Sequence, residues 1–561
     1  MRYEKYSLDR SARLALNYLT SMVDEREDWL PYWLVNVNTF PAWAKHCRVD
    51  DAELVASWYS AIVAVRRILD TDEGHEVEEG FKRHLFKHWG DDGLRYHAPY
   101  PWTHTIHHSF HEDSYILAGL NTAIEEGEAT ARDLAHRMVR GLRAVVIHRR
   151  LRTFWNGDFP IAEPVYEFPN DVLLQKGGFD LGCVTGRGEP AIRNGIMLHA
   201  VVRHYQLTGD EVSLDLATGL ANHLIGLSRS FNYRGEFFGH VHSTVWIAAG
   251  LVLLGRLTGT ERYVEFGRSV YEYARSLSSS FGWVPEYAQW HPMSEEHCET
   301  CCIKDMIECG LELVDAGCEE PWDLVNRFVR NQLDEQQLED GSFVPVDASR
   351  TSDEPGITWR DLDTRVVGGW SGGAEPNSIS LARFRSIAGC CVGTAPQALA
   401  MVWRRIVEER EGVVTVNLPI ERDAAAASVA IGYPNEGSLT VRAKKAGEYR
   451  LRVLPFMGRH PSLQVNGGDR PLVWRGQCLK VDGVRAGDTI LLSHPIRERT
   501  ECETVMGVEF EVAWKGCDVV GLTPGGAPLK LYQRVEGASK EVPLPSSNTA
   551  TMGLAPTEQK R

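Results

Sequence analysis

Two segments set fifty residues apart share one layout, and this repeat restricts the fold more than any other feature of the 561-residue chain. "LHAVVRHYQLTGDEVSLDLATGLANHL" begins at Leu198, and "WIAAGLVLLGRLTGTERYVEFGRSVYEYA" begins at Trp246. Each reads as an apolar helix, a Leu-Thr-Gly turn and a second, amphipathic helix. Gly209 and Gly259 supply C-caps, and Asp210 or Thr260 can open the helix that follows. Helical hairpins repeated at this period bury their apolar faces by stacking, as an open solenoid or a closed toroid. "WYSAIVAVRRIL" from Trp58 and "SYILAGLNTAI" from Ser114 look like earlier members. Long irregular stretches, Phe154 to Arg193 and Gln337 to Ser380, favour a closed α/α barrel whose loops gather over one mouth and build a site.

After "VWRRIVEER" the period changes. "GVVTVNLPI", "SLTVRAKKAGEYRLRVLPF" and "DTILLSHPI" alternate every second residue between Gly, Asp and Pro turns, which predicts an antiparallel β domain. The expected organisation is a helical domain over 1–410, a β domain over 411–535 and a mobile tail over 536–561.

The formal net charge of −16 argues against nucleic acid or an anionic membrane as partner, and leaves a small neutral carbohydrate permitted. The N-terminus has scattered charges and no apolar core, so it does not read as a secretory signal. The longest apolar run, "WIAAGLVLLG", is about half a membrane span. Twelve cysteines without an export signal suit a reducing compartment, and a cytoplasmic location is the expectation. Oligomeric state is left open.

The cysteines cluster. "HCETCC" places Cys298, Cys301 and Cys302 around Glu299, and Cys390-Cys391 follow in "AGCCVGT". The residues after Cys302 carry a helical apolar stripe. Cys390-Cys391 also precede a helix, with Thr394 expected as N-cap and Pro396 in the first turn. Partial positive charge at helix N-termini favours thiolates, and two such ends converging would make a zinc site. Three other readings stand beside it. These are buried small hydrophobes, a C-x-x-C redox pair, and a structural zinc on Cys298, Cys301, Cys390 and Cys391.

"ETC" opening one helix, "CC" opening a later one, and a helical-hairpin domain followed by β strands resemble glycoside hydrolase family 127 and its β-L-arabinofuranosidase-like relatives. "FGHVHSTVWIAAGLVLLGRLTG" and "YRLRVLPF…LQVNG…GDTILLSHPI" extend the resemblance over nearly the whole chain. It implies a mainly α protein with a β domain, an (α/α)6 barrel followed by a C-terminal antiparallel β-sandwich. It also implies a retaining furanosidase, with Zn²⁺ on Glu299, Cys301, Cys390 and Cys391 and with Cys390 as nucleophile. Glu286 in "WVPEYAQW" matches the acid/base, with Glu295 and Glu296 as fallbacks. His111 and His240 match sugar-contacting histidines, with His242 close by. Trp290, like Trp283 and Tyr287, suits stacking on sugar C–H faces. Gly389 departs from the family, which often carries a glutamate there.

His104, His107, His108 and His111 are spaced for a second metal on one helix face, although "PYPWTHT" before them is turn-like. "GGWSGGAEPNS" (Gly368 to Ser378) lacks the Lys and preceding strand of a phosphate loop and reads as a loop at the barrel mouth. The competing functions are a non-catalytic carbohydrate-binding or scaffold protein with structural zinc, and another (α/α)6-barrel sugar enzyme, an epimerase or an unsaturated uronyl hydrolase.

Overall fold

The computed structural model describes residues 2–535 apart from 48, 103–106, 150–154, 157–158, 161–162, 170–171, 175–178, 181–194, 290–296, 351 and 380–386. The expected tail at 536–561 lies outside the described residues, as does most of the loop from 154 to 193.

Twelve long helices among the described residues form two rings. The inner ring is α2 (Val55–Leu69), α4 (Phe110–Glu125), α6 (Met197–Thr208), α8 (Val241–Thr258), α10 (Thr300–Asp315) and α12 (Gly389–Ile406). Each packs on the next, and α12 returns to α2 to close the barrel. The outer ring is α1 (Leu8–Ser21), α3 (His75–Leu85), α5 (Ala129–Val145), α7 (Glu211–Gly226), α9 (Glu261–Leu277) and α11 (Pro321–Arg330). The (α/α)6 barrel expected from the resemblance is thus the architecture of the chain.

Sequence texture sorts the rings. Helix α8 is buried continuously from Val241 to Gly255, whereas α5 buries only one stripe through Leu134, Met138 and Leu142. By length and apolarity α8 could cross a membrane, but 83% of its apolar window is buried inside the protein. The repeated turns behave as read. Gly209 and Gly259 end α6 and α8 with φ of 70° and 69°, a conformation that suits glycine, and Asp210 accepts a hydrogen bond from Ser213 N to start α7.

The strands of the β region begin at Val407, directly after α12. One sheet of five strands runs in the order Val407–Arg410, Val413–Val416, Gly447–Arg452, Cys478–Val484, Val473–Arg475. A second of six is centred on Ala427–Ile431, Ser438–Ala443 and Thr489–Ser493. Alternate residues such as Val429, Ile431, Leu439 and Val441 are buried, and the Tyr449 hydroxyl ties the sheets by donating to Ala426 O at 3.0 Å. Pairing is antiparallel except between Val413–Val416 and Gly447–Arg452, which are parallel. The chain crosses to the other sheet between those strands and returns in the same direction.

Candidate active site

The site is assembled from the N-terminal ends of inner helices. His240 is the N-cap of α8, Glu299 is the N-cap of α10, and Cys390 and Cys391 lie in the first turn of α12. A short ladder adds a fourth group. Gly239–His240 pairs with Tyr287–Ala288, Glu286 O accepts from Val241 N at 2.9 Å, and Glu286 N donates to His297 O at 3.0 Å. Backbone pairing therefore sets Glu286 beside His240, and the donor atoms of His240, Glu286 and Glu299 lie within 4.8 Å of one another.

The thiols meet. Donor atoms of Glu299, Cys301, Cys390 and Cys391 lie within 4.8 Å of one another, and all four residues are buried. Cys301 Sγ is 3.6 Å from Cys391 Sγ, and Cys390 Sγ is 3.5 Å from Glu299 Oε1. Two sulfurs on one tetrahedral Zn²⁺ at about 2.3 Å each stand about 3.8 Å apart, so this cluster could hold such an ion with little movement. The proton inventory agrees. Burial raises the Cys301 thiol well above its ordinary value. At Cys391 burial acts the same way but is outweighed by hydrogen bonds from Cys301 and Cys390, which bring it to about 6. A divalent cation would complete the deprotonation that this environment withholds from Cys301.

Cys298 stands apart from this group. Its N donates to Ala374 O at 2.8 Å, its sulfur accepts from Val284 N at 3.4 Å, and burial pushes its thiol up to about 12. Ala374 belongs to the glycine-rich stretch after Gly368, which packs along the thiol motif, with Ser371 O accepting from Thr300 Oγ1 at 2.7 Å.

Helix α12 corrects one expectation. It starts at Gly389 with Ala388 as N-cap, so Thr394 and Pro396 lie inside it. Thr394 Oγ1 donates instead to Cys301 Sγ at 3.2 Å, bridging the two thiol helices. Packing overrides the local signals. Trp58 Nε1 donates to Gly389 O at 2.9 Å, and a Cβ on Gly393 would meet Ser57 Oγ at 2.2 Å. At Gly389 a Cβ would meet a Leu54 methyl at 2.8 Å, so the glutamate of the family pattern would need that side chain to shift.

The histidines divide. His240 Nε2 lies 3.1 Å from Glu299 Oε2, and its Nδ1 is 2.8 Å from Ser243 Oγ. With Glu299 ionised, Nε2–H donates to the carboxylate and holds it in place. Both nitrogens of His242 are engaged within the protein, with Asp305 and with the Tyr115 hydroxyl at 2.7 Å, which leaves neither for a sugar. His111 is partly open, with Nε2 at 3.5 Å from Glu53 Oε2. His107–His108 form a strand and His108 pairs with Asp113, so His107 and His108 do not share a helix face with His111. Trp290, Glu295, Glu296 and His104 lie outside the described residues.

Three residues at the site had no role in the sequence reading. His297 pairs with the Glu286 carboxylate, and Glu53 is buried beside His111. Tyr115 is held far above its ordinary pKa by burial, then by Glu53, Cys301, Cys390 and Glu299, the charges that surround it. The acidic run "DDAEL" before α2 and the histidine adjoining "CETCC" were the available signals.

No protein-family model matches the sequence, and no curated protein matches it. Solved structures do. A GH127 β-L-arabinofuranosidase from Geobacillus stearothermophilus T6 superposes with a TM-score of 0.55 at 14% identity, covering 91% of this chain and 80% of that one. The GH127 β-arabinofuranosidase BT3674 gives 0.58 at 13%, covering 91% and 81%. A third, described as a glycoside hydrolase, gives 0.57 at 15%, covering 92% and 81%. This chain has their fold. At such identities the likeness is one of architecture, barrel and β region together.

Proposed function

We propose that this protein is a retaining glycoside hydrolase for furanosides, β-L-arabinofuranosides first among them. Cys390 is the nucleophile, Glu286 the acid/base, and Glu299, Cys301, Cys390 and Cys391 hold Zn²⁺. The observation that carries the reading is the buried carboxylate–trithiol cluster at the barrel mouth with a second carboxylate, Glu286, beside it. The two arabinofuranosidases of the same fold supply the substrate class.

Bound zinc would keep Cys390 as thiolate at neutral pH without a separate base. In the first step Cys390 Sγ bonds to the anomeric carbon as the glycosidic bond breaks, and Glu286 gives its proton to the departing oxygen. In the second step Glu286 takes a proton from water, the water oxygen bonds to the same carbon, and the sulfur leaves. Two inversions return the starting configuration. His297 against Glu286 and His240 against Glu299 orient the two carboxylates. His111 and Glu53, at the edge of the site, are placed to bond sugar hydroxyls.

The test is hydrolysis of an aryl β-L-arabinofuranoside by zinc-loaded protein, with the product anomer followed by NMR. Release of the β-anomer first supports the reading, and inversion sinks it. Full zinc content with no furanosidase activity returns the protein to the carbohydrate-binding alternative.

A further inference from the structure

One acid beside the thiols is left unsatisfied by the protein. Asp50–Leu54, just before α2, form a single π-helical turn in which Leu54 N donates to Val49 O at 3.3 Å. Isolated turns of this kind recur at functional sites. This one sends three acids in different directions. Asp50 pairs with His46 at 2.8 Å and accepts from Cys47 N at 2.7 Å. Asp51 pairs with Arg95 at 3.2 Å and accepts from Ala98 N at 3.2 Å. Glu53 accepts no hydrogen bond among the described residues, although its side chain is only 6% exposed, and His111 Nε2 beside it stands off at 3.5 Å. A buried carboxylate in that state is costly, and a ligand that donates hydrogen bonds would complete it.

Packing sets Glu53 next to Cys390. A Cβ on Gly389 would meet Leu54 at 2.8 Å, so the residue after Glu53 lies against the residue before Cys390. Trp58 Nε1, donating to Gly389 O at 2.9 Å, ties α2 to the same turn. Glu53 also faces the barrel axis. Tyr115 on α4 reaches across to His242 on α8 through a 2.7 Å hydrogen bond, so its hydroxyl lies on that axis. Burial raises the pKa of this hydroxyl most, and Glu53 is the charge that adds most, ahead of Cys301, Cys390 and Glu299. Around the ring of helix starts the order is His111 on α4, Glu53 at α2, Cys390 on α12, Glu299 on α10, and His240 with Glu286 at α8. Glu53 and Glu286 therefore flank Cys390 from opposite sides.

We infer that Glu53 is a specificity-determining residue whose carboxylate accepts the sugar hydroxyl on the carbon next to the anomeric centre. The inference rests on the roles proposed above for Cys390 and Glu286. Glu286 meets the leaving oxygen, so the ring of the sugar being cleaved extends the other way, over Glu53. Attack by sulfur holds the anomeric carbon at Cys390, and the adjoining ring carbon comes within reach of the neighbouring helix start. A carboxylate offers only acceptor oxygens. It favours a hydroxylated, neutral furanoside and repels the carboxylate of a uronide.

Kinetics of the zinc-loaded full chain on nitrophenyl β-L-arabinofuranoside and on its 2-deoxy analogue test the inference. Comparing parent with variant on each substrate cancels the substrates' own reactivity. In Glu53→Ala, kcat/KM should fall about tenfold to a hundredfold on the hydroxylated substrate, the worth of a hydrogen bond to a charged group, and less than threefold on the 2-deoxy one. Glu53→Gln, which keeps one acceptor oxygen, should fall between parent and Glu53→Ala. A merely structural role would lower both substrates alike, so equal loss on both, or loss on neither, overturns the inference. Should Glu53→Ala melt early, Glu53→Gln gives the same comparison. If the parent cleaves neither substrate, the furanosidase reading fails by itself, and calorimetric titration with L-arabinose still tests Glu53. Saturable binding weakened at least tenfold in Glu53→Ala then supports its role. No binding by the parent, or binding that the variant leaves unchanged, overturns it.

Discussion

Glu299 and Cys298 are one residue apart in sequence, yet only Glu299 brings its donor atom to the other thiols. Zinc content should therefore fall from about one per chain to near zero in Glu299→Ala and Cys301→Ala, and stay near one in Cys298→Ala, by elemental analysis. The opposite pattern would restore the tetrathiolate centre. Glu286→Gln should lose about 10²- to 10⁴-fold in turnover on alkyl furanosides, where protonating the leaving oxygen dominates the barrier. Cleavage of an activated aryl furanoside should be largely spared in its first step, and equal loss on both substrates would remove Glu286 from the acid role. Cys390 and Cys391 share the cluster and differ in exposure. Cys390 is 9% accessible, and Cys391 is fully enclosed, its sulfur against Cys301 and its carbonyl accepting from Thr394 Oγ1 at 3.4 Å. A haloacetamide-bearing sugar should accordingly label Cys390 in peptide mass mapping. Label on Cys391 would reverse the assignment.

At the scale of elements, helix α12 is where local signals and packing part. Thr394 and Pro396 advertise a helix start, and the chain is helical five residues before Thr394. The reason is the seam between α12 and α2, where Gly389 and Gly393 let Leu54, Ser57 and Trp58 approach the α12 backbone. Gly393→Ala should cost about 1–3 kcal/mol in urea unfolding, because the added methyl collides with Ser57 and has nowhere to go. It should also lower zinc content, since α12 carries two of the four donors. An unchanged midpoint would mean that the seam is looser than its contacts imply. The α6–α7 and α8–α9 turns are the contrary case. There glycine cap, following cap residue and apolar period agree, so the hairpins were legible without tertiary information.

For the whole molecule, the barrel and the β region are joined by a buried ion pair. Arg330 on α11 reaches Asp518 through bonds of 2.8 and 3.0 Å, is fully enclosed, and also donates to Pro419 O at 2.9 Å. Asp518→Asn leaves that guanidinium without its charge partner, and a loss of about 3–5 kcal/mol is the expected result by denaturant titration. Replacing both partners with apolar residues should cost less than the single change. Stability should also depend on acid through His204 in α6. It is fully buried, with Nδ1 at 3.1 Å from Asn121 Oδ1 and Nε2 without a hydrogen-bond partner among the described residues. Burial, and then His136, lower its pKa from 6.5 to about 4. Between those values the unfolded chain binds the proton and the folded chain does not. The contribution is therefore complete above pH 6.5 and is lost as pH falls toward 4, amounting to about 2–3 kcal/mol. His204→Gln should flatten the stability profile over that window, and an unchanged slope would place the dependence elsewhere.

What the chain determined by itself was periodic or local: helical hairpins, the change to period two after Arg410, the glycine caps, and thiols at helix starts. Such features depend on neighbours within a turn or two, so they survive without knowledge of the rest. Only the tertiary structure decided that six inner helices close a ring, that Cys298 is excluded from the cluster, and that His242 is spent on Asp305 and Tyr115. Likewise it alone brought Glu53 and His297 to the site. These outcomes set residues far apart in the chain against one another at ångström distances. No repeat or spacing along the sequence encodes which of two adjacent side chains will face the shared space, because that depends on how neighbouring helices pack against each other.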